Sequence, residues 1–174
     1  MAEELWPEPV EGHPTPGMQI WGWMGPHQLD WLGAQAAQMK SVVEVGSLRG
    51  RSAFALLTAC PGLVYCIDPW PKDSDYESFM RECGPFPNLV AIRRKSPEAA
   101  ALVPDVDMVF LDGDHEYEAV VADITAWLPK TRKLLCGHDY NVAEFPDVAK
   151  AVDETLGDRV TSAVGNSIWT VQVG

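Results

Sequence analysis

The chain has 174 residues, 47% hydrophobic and 22% charged, the size and composition of one globular domain with a proper core. Its formal net charge of -12 argues against nucleic acid or an anionic membrane surface as partner, because phosphates would be repelled. No apolar run approaches the length of a membrane span. The opening Met1-Ala2-Glu3-Glu4-Leu5 lacks the basic and apolar regions of a secretory signal. Cys60, Cys66, Cys83 and Cys136 show neither C-x-x-C nor metal-finger spacing, so they read as small buried hydrophobes in a reducing cytoplasm. The one basic cluster, Arg93-Arg94-Lys95, reads as a solvated strand end.

Residues 1–25 carry Pro7, Pro9, Pro14 and Pro16, which excludes a regular helix or a central strand there. Trp21 and Trp23 need burial. The plainer expectation packs them on the domain edge or on a second subunit, pointing to a homodimer; the sharper one makes them part of a substrate lid. The main domain, 26–174, starts where Pro26 opens a helix with Leu29, Leu32, Ala36 and Met39 on one face. Ser41-Val42-Val43-Glu44-Val45 is a short, buried, β-branched strand. Gly46-Ser47-Leu48-Arg49-Gly50 then bends into an alanine- and leucine-rich helix. Gly46 lets a ligand approach the backbone, and Gly50 allows close helix–strand packing. The free N–H groups at the helix start, with the hydroxyls of Ser47 and Ser52, suit a polar or negative ligand group. The spacing is G-x-x-x-G with no lysine after the second glycine, which disfavours a phosphate cradle.

Leu63 to Asp68 reads as a second buried strand ending in an acid. In a nucleotide-binding βαβ unit, an acid at this place accepts hydrogen bonds from the ribose hydroxyls, so nucleoside binding is expected. An irregular Asp68-Pro69-Trp70-Pro71 loop leads to a helix with Tyr76, Phe79, Met80 and Cys83 on one face, broken at Gly84-Pro85. Leu89 to Ile92 is the third strand. Ser96 then reads as an N-cap with Pro97 at the first helical position, opening a short helix through Leu102. Val106 to Asp112 is the fourth strand. Tyr117, Val120, Val121, Ile124 and Leu128 form a helical stripe that stops at Pro129, and Lys133 to Gly137 is the fifth strand. Pro146 opens a helix with Val148, Val152 and Leu156 inward. Residues 159–164 and 168–173 flank Gly165-Asn166-Ser167 as an antiparallel hairpin. The fold class is α/β: one doubly wound, mostly parallel sheet with helices on both faces and an antiparallel C-terminal hairpin.

Two strands end in polar clusters, Asp112-Gly113-Asp114-His115 and Gly137-His138-Asp139-Tyr140-Asn141. Strand C-termini in an open parallel sheet share one edge, so these clusters should face Gly46 and Asp68. Carboxylates brought together there repel unless a cation or proton lies between them. Asp112, His138 and Asp139 make an O,N,O set for a divalent ion, better suited to Mn²⁺, Fe²⁺ or Zn²⁺ than to Mg²⁺. Plainer roles are also available. Asp114 can cap the helix near Glu116, His115 can be an ordinary first-turn residue, and His138 can be a buried histidine satisfied by a backbone carbonyl.

The run Glu44-x-Gly46-Ser47-x-x-Gly50-x-Ser52, followed by Ile67-Asp68, resembles class I S-adenosylmethionine-dependent methyltransferases, in particular the metal-dependent O-methyltransferase branch. The resemblance covers roughly Met24 to the C-terminus. It implies a seven-stranded, Rossmann-like methyltransferase fold with S-adenosylmethionine as methyl donor. Glu44, Gly46, Ser47 and Ser52 would surround the donor's amino-acid end, Asp68 its ribose and Ser96 its adenine. Asp112 would lie beside the donor, and Trp70 would line the adenine or acceptor pocket. It further implies a divalent metal, Mg²⁺ or Mn²⁺, on Asp112 and Asp139, with His138 standing where an aspartate is usual. His115, three residues after the fourth-strand acid, holds the place of the general base. The expected activity is methyl transfer to a hydroxyl of a small molecule such as a sugar, phenol or secondary metabolite. The rivals are a metal-independent N- or C-methyltransferase, a non-catalytic S-adenosylmethionine-binding subunit, and a nonenzymatic scaffold.

Overall fold

The structure is a computed structural model and describes residues 9–174. The expectations placed on Pro7 and on the first five residues lie outside the described residues.

Five β-branched or apolar segments form parallel strands: β1 (Ser41–Val45), β2 (Leu63–Asp68), β3 (Leu89–Arg93), β4 (Val106–Leu111) and β5 (Thr131–Gly137). The last two, β6 (Thr161–Ala163) and β7 (Ile168–Gln172), are antiparallel to each other, and β7 pairs antiparallel with β5. The order across the seven-stranded sheet is β3-β2-β1-β4-β5-β7-β6. The chain winds outward from β1 in one direction and resumes at β4 in the other. The crevice where winding reverses is where open α/β sheets bind ligands.

Successive strand residues alternate between faces. Val42, Met108 and Phe110 pack with helices α1 (Pro26–Ala36), α2 (Arg51–Ala59) and α3 (Asp73–Cys83). Val43, Val45, Val109 and Leu111 pack on the opposite side, with α4 (Ser96–Ala99), α5 (Tyr117–Trp127) and α6 (Pro146–Leu156). Register then decides the function. Val45 pairs with both Ile67 and Leu111, and Leu111 pairs with Gly137. The next residues, Gly46, Asp68, Asp112 and His138, therefore come out on one rim.

Several local expectations need correction. Ser96 is the first residue of α4 and not its cap, a position held by Lys95. Asp114 accepts the N–H of Glu116 at 3.0 Å, which makes it a turn residue before α5, whose cap is Glu116. Met80 is 36% exposed, whereas Asp75 in the first turn of α3 is buried and held at 2.8 Å by Arg49 Nε. Gly50, at φ 100°, is needed for helix–helix and not helix–strand packing: a Cβ there would sit 2.6 Å from Cys83 Sγ on α3. Arg93 is not simply solvated, since it donates to the Trp70 carbonyl at 2.5 Å and pairs with Asp73 at 2.6 Å. All four cysteines are free and buried. Among the described residues, no helix is long and apolar enough to cross a membrane.

Candidate active site

Above the C-terminal ends of β1 and β4 opens a cavity of about 1090 Å³, whose lining includes Trp23, Gly46, Asp68, Asp112, His115 and Asp139. That volume is ample for a nucleoside-sized ligand and a second small molecule.

The floor is built by the β1–α2 turn. Gly46 has φ 87°, and a Cβ there would lie 1.9 Å from the Asp112 carbonyl oxygen. Its lack of a side chain therefore serves the approach of the β4 exit as much as that of a ligand. Ser47 and Ser52 line the cavity, while Glu44 lies fully buried beneath them. Ser47 Oγ donates to Glu44 Oε2 at 2.5 Å, Ser52 also bonds this carboxyl, and Glu44 Oε1 has no hydrogen-bond partner. Burial raises the Glu44 pKa to about 7; the two serine bonds oppose the rise, and the charges of Asp112 and Asp68 add to it. Glu44 thus acts from one layer below the cavity, by orienting two hydroxyls.

Asp68 accepts two backbone N–H groups, from Leu48 at 2.9 Å and Trp70 at 2.6 Å. The carboxylate is fixed in place with lone pairs left for a ligand's hydroxyls. Burial raises its pKa, with both backbone bonds opposing. Trp70, expected on the pocket wall, is fully buried: its Nε1 donates to the Leu48 carbonyl at 2.6 Å, and its ring packs on Tyr76 and Phe79. It braces the two loops that Asp68 ties together. Ser96 lines the cavity, but its Oγ accepts from Trp127 Nε1 at 2.8 Å and also bonds Asp123. Asp123, a mid-helix acid with no motif around it, lines the same wall, and burial raises its pKa to about 6.

On the opposite side lie the two polar clusters. Donor atoms of Asp112, His138 and Asp139 all fall within 4.8 Å of one another. His138 Nδ1 is 3.4 Å from Asp112 Oδ1 and 3.2 Å from Asp139 Oδ1. Burial pulls the His138 pKa down, and the two carboxylates on their own push it up to about 10. The Gln28 amide nitrogen 2.8 Å from Nε2 opposes that rise, because a charged ring needs Nε2 for its own hydrogen. His115 Nε2 lies 2.8 Å from Asp139 Oδ2, and its ring stacks on Phe145 at a centroid distance of 3.9 Å. The Asp139 bond raises the His115 pKa against the lowering effect of burial. Burial favours a neutral Asp139, and the two histidines overcome it, holding the carboxyl well below its usual range. His138 is satisfied by side chains and not by the backbone carbonyl that the plainer reading supplied: its Nε2 meets Gln28 Nε2 at 2.8 Å. Gln28 lies 110 positions away, beyond any local sequence signal.

The outer wall comes from the N-terminal segment. Arg51, the first residue of α2, is 4% exposed and donates to the carbonyls of Ile20 at 2.5 Å and Met24 at 3.0 Å. Gly17 lies so close that a Cβ would come 2.2 Å from the Arg51 carbonyl oxygen. Strapped this way, Trp21 and Trp23 line the cavity as an edge-to-face pair 4.6 Å apart, with Arg49 over Trp21 at 4.9 Å.

A doubly wound sheet, a glycine turn after β1, an acid ending β2 and a cavity over the switch point define a Rossmann-like nucleoside-binding enzyme fold. A family model described as a methyltransferase domain matches residues 43–140, more than half of the chain, and the protein belongs to that family. Among solved structures, cofactor-bound Rv0187 from MTB superposes with a TM-score of 0.68 at 19% identity, covering 86% of this chain and 81% of that one. The O-methyltransferase TomG from Streptomyces achromogenes, solved with SAM, gives 0.64 at 16% identity, covering 87% and 82%. An O-methyltransferase from Bacillus cereus in complex with SAH gives 0.65 at 13% identity, covering 86% and 82%. At these identities the likeness is one of fold. No curated protein matches the chain.

Proposed function

We propose that this methyltransferase moves a methyl group from S-adenosylmethionine to a hydroxyl of a small molecule, with His115 as the group that takes the hydroxyl proton. The observation that carries the reading is the His115–Asp139 pair at 2.8 Å on the rim of the cavity that also contains Asp68.

The residues fit a nucleoside bearing an amino-acid tail. Asp68 is fixed by two N–H groups and suits two ribose hydroxyls, and Ser47 and Ser52 present hydroxyls over the buried, half-satisfied Glu44. When bound, S-adenosylmethionine supplies an electrophilic methyl on a sulfonium. Asp139 receives the Nε2–H of His115, which leaves Nδ1 as the acceptor for the substrate's proton. Phe145 stacks on the ring and holds its plane. The Trp21–Trp23 pair forms an apolar wall for the acceptor and keeps water from that side. Much of the rate gain is then the positioning of two reactants in one cavity.

The donor set fits a divalent ion in part. Asp112 and Asp139 would hold Mg²⁺ or Mn²⁺ through oxygens facing one gap, and the ion would acidify a bound hydroxyl. His138 is less suited, since its Nε2 already meets an amide donor. The four free thiols fit a cytoplasmic setting.

The test is calorimetric titration with S-adenosylmethionine, followed by labelled methyl transfer to a panel of small hydroxyl compounds, with and without chelator. Binding in calorimetry and label on oxygen are expected. No binding, or label on nitrogen or carbon alone, would overturn the reading.

A further inference from the structure

Gln28 stands at the third position of α1, and its Oε1 accepts the N–H of the cap residue Gly25 at 2.7 Å. That bond fixes which end of the amide is which, because a flipped amide would set its NH₂ against the Gly25 N–H. Ser167 gives the same answer. Its single hydroxyl proton goes to the Val164 carbonyl at 2.8 Å, so its Oγ accepts from Gln28 Nε2, also at 2.8 Å. The second hydrogen of the Gln28 amide is left pointing at His138 Nε2, 2.8 Å away. A nitrogen that receives a hydrogen bond carries no hydrogen of its own. The His138 proton therefore belongs on Nδ1, the atom 3.4 Å from Asp112 and 3.2 Å from Asp139.

We propose that Gln28 is a positioning residue that fixes His138 as its Nδ1–H tautomer, so that this N–H bridges the two carboxylates and Nδ1 is withheld from metal ligation. A divalent ion on Nδ1 would force the ring's proton onto Nε2, against an amide that offers only hydrogens. The ion then requires Gln28 to turn over, giving up both Gly25 and Ser167. The cap of α1, the β6–β7 turn and the acid cluster are coupled through one amide. Asp112 and Asp139 remain able to bind a cation through oxygen, but the imidazole serves as a donor between them. This substitution of a neutral N–H for a ligand relieves part of the repulsion between the two acids without a metal.

The inference concerns the acid cluster alone and does not need the methyl-transfer reading. Titration with S-adenosylmethionine in the same samples separates failure of one from failure of the other. The direct measurement is a long-range ¹H–¹⁵N spectrum of the full chain, in which the four histidines are assigned by single substitution. His138 should show its hydrogen on Nδ1. A ring with its hydrogen on Nε2, or on both nitrogens at neutral pH, overturns the proposal. The second measurement uses Q28E, whose carboxylate still accepts from Gly25 but also accepts from a His138 Nε2–H. Mn²⁺ affinity read by electron paramagnetic resonance, at mildly alkaline pH, should rise roughly tenfold over the unaltered protein. Equal or weaker Mn²⁺ binding by a folded Q28E protein counts against the proposal, as does an Nδ1–H ring in that variant.

Discussion

Asp139 holds His115 at 2.8 Å from a left-handed backbone position, φ 56°, two residues past the end of β5. The pair has the logic of a carboxylate that orients an imidazole and selects its tautomer. His115→Ala should leave S-adenosylmethionine affinity within about twofold and lower the methyl-transfer rate by roughly 10²–10⁴. Asp139→Asn should lower the rate as well, because an amide can offer His115 a hydrogen where it needs an acceptor. An unchanged rate in His115→Ala, measured at saturating donor, removes His115 from the chemistry.

Asp68 combines two tasks, holding the Leu48 and Trp70 N–H groups and facing the cavity. Asp68→Ala should weaken donor binding roughly 100-fold, the scale of two hydrogen bonds to a charged acceptor. The β2–α3 loop should loosen in the same variant. Calorimetry reads the first effect and hydrogen exchange at Leu48 and Trp70 reads the second. Unchanged donor affinity would refute the ribose assignment.

The strand ends were legible because β-branched runs stop at glycine or acid, and parallel register carries each stop to the same rim. Gly46, Asp68, Asp112, His115, His138 and Asp139 needed no tertiary knowledge beyond that. What failed was anything decided by a partner far along the chain. Trp70 looks like a loop aromatic until Leu48 and Phe79 close over it. Ser96 looks like a cap until Trp127, 31 positions on, takes its hydroxyl. Glu44 reads as a ligand contact because a short pattern cannot say whether an acid faces the cavity or lies under it. Gln28 and Arg51 have ordinary helix-start contexts, and only their distant acceptors reveal their work.

Burial of Glu44 has a stability consequence with a definite sign. Its folded pKa is raised from 4.5 to about 7, so the folded state holds the proton more tightly than the unfolded one. Stability contributed by this group is present below pH 4.5, falls as pH rises to about 7, and then levels off. The full loss is about 3 kcal/mol. Glu44→Gln should flatten that part of the profile and raise the melting temperature at neutral pH by a few degrees, at roughly 2–4 °C per kcal/mol. Donor affinity should fall in the same variant, since Ser47 and Ser52 lose a charged anchor. Melting curves across this pH range decide it: an equally steep decline in both proteins refutes the assignment.

Trp23 is 47% exposed yet lines the cavity beside Trp21, so its contribution is to the wall and not to the core. Trp23→Ala should raise the acceptor KM roughly tenfold, about 1.4 kcal/mol, with donor affinity unchanged. Arg51→Ala should give the same KM effect and also reduce stability, because it frees the carbonyls of Ile20 and Met24. A Trp23→Ala protein with normal acceptor KM would mean that the N-terminal segment walls the cavity without touching the acceptor.

Gly46 is the place where backbone geometry alone carries the site. A Cβ there would lie 1.9 Å from the Asp112 carbonyl oxygen, 2.5 Å from its carbon and 2.9 Å from Gly113 Cα. None of these atoms is free to yield. The Gly46 N–H is bonded to the Ile67 carbonyl at 2.8 Å and the Asp112 N–H to the Val45 carbonyl at 2.9 Å, so both segments continue the sheet. Gly46→Ala must also hold an L-residue at φ 87°. The expected loss is more than about 4 kcal/mol in denaturant unfolding, with donor binding abolished. Gly157 is the control: its φ is 58° and a Cβ there meets nothing within 4 Å. Gly157→Ala should lose about 1–3 kcal/mol, the strain of a backbone at φ 58° and ψ −142° that a residue with a Cβ rarely adopts, without a collision. Equal losses in the two variants would show that conformation, and not the approach of β4, explains the glycine.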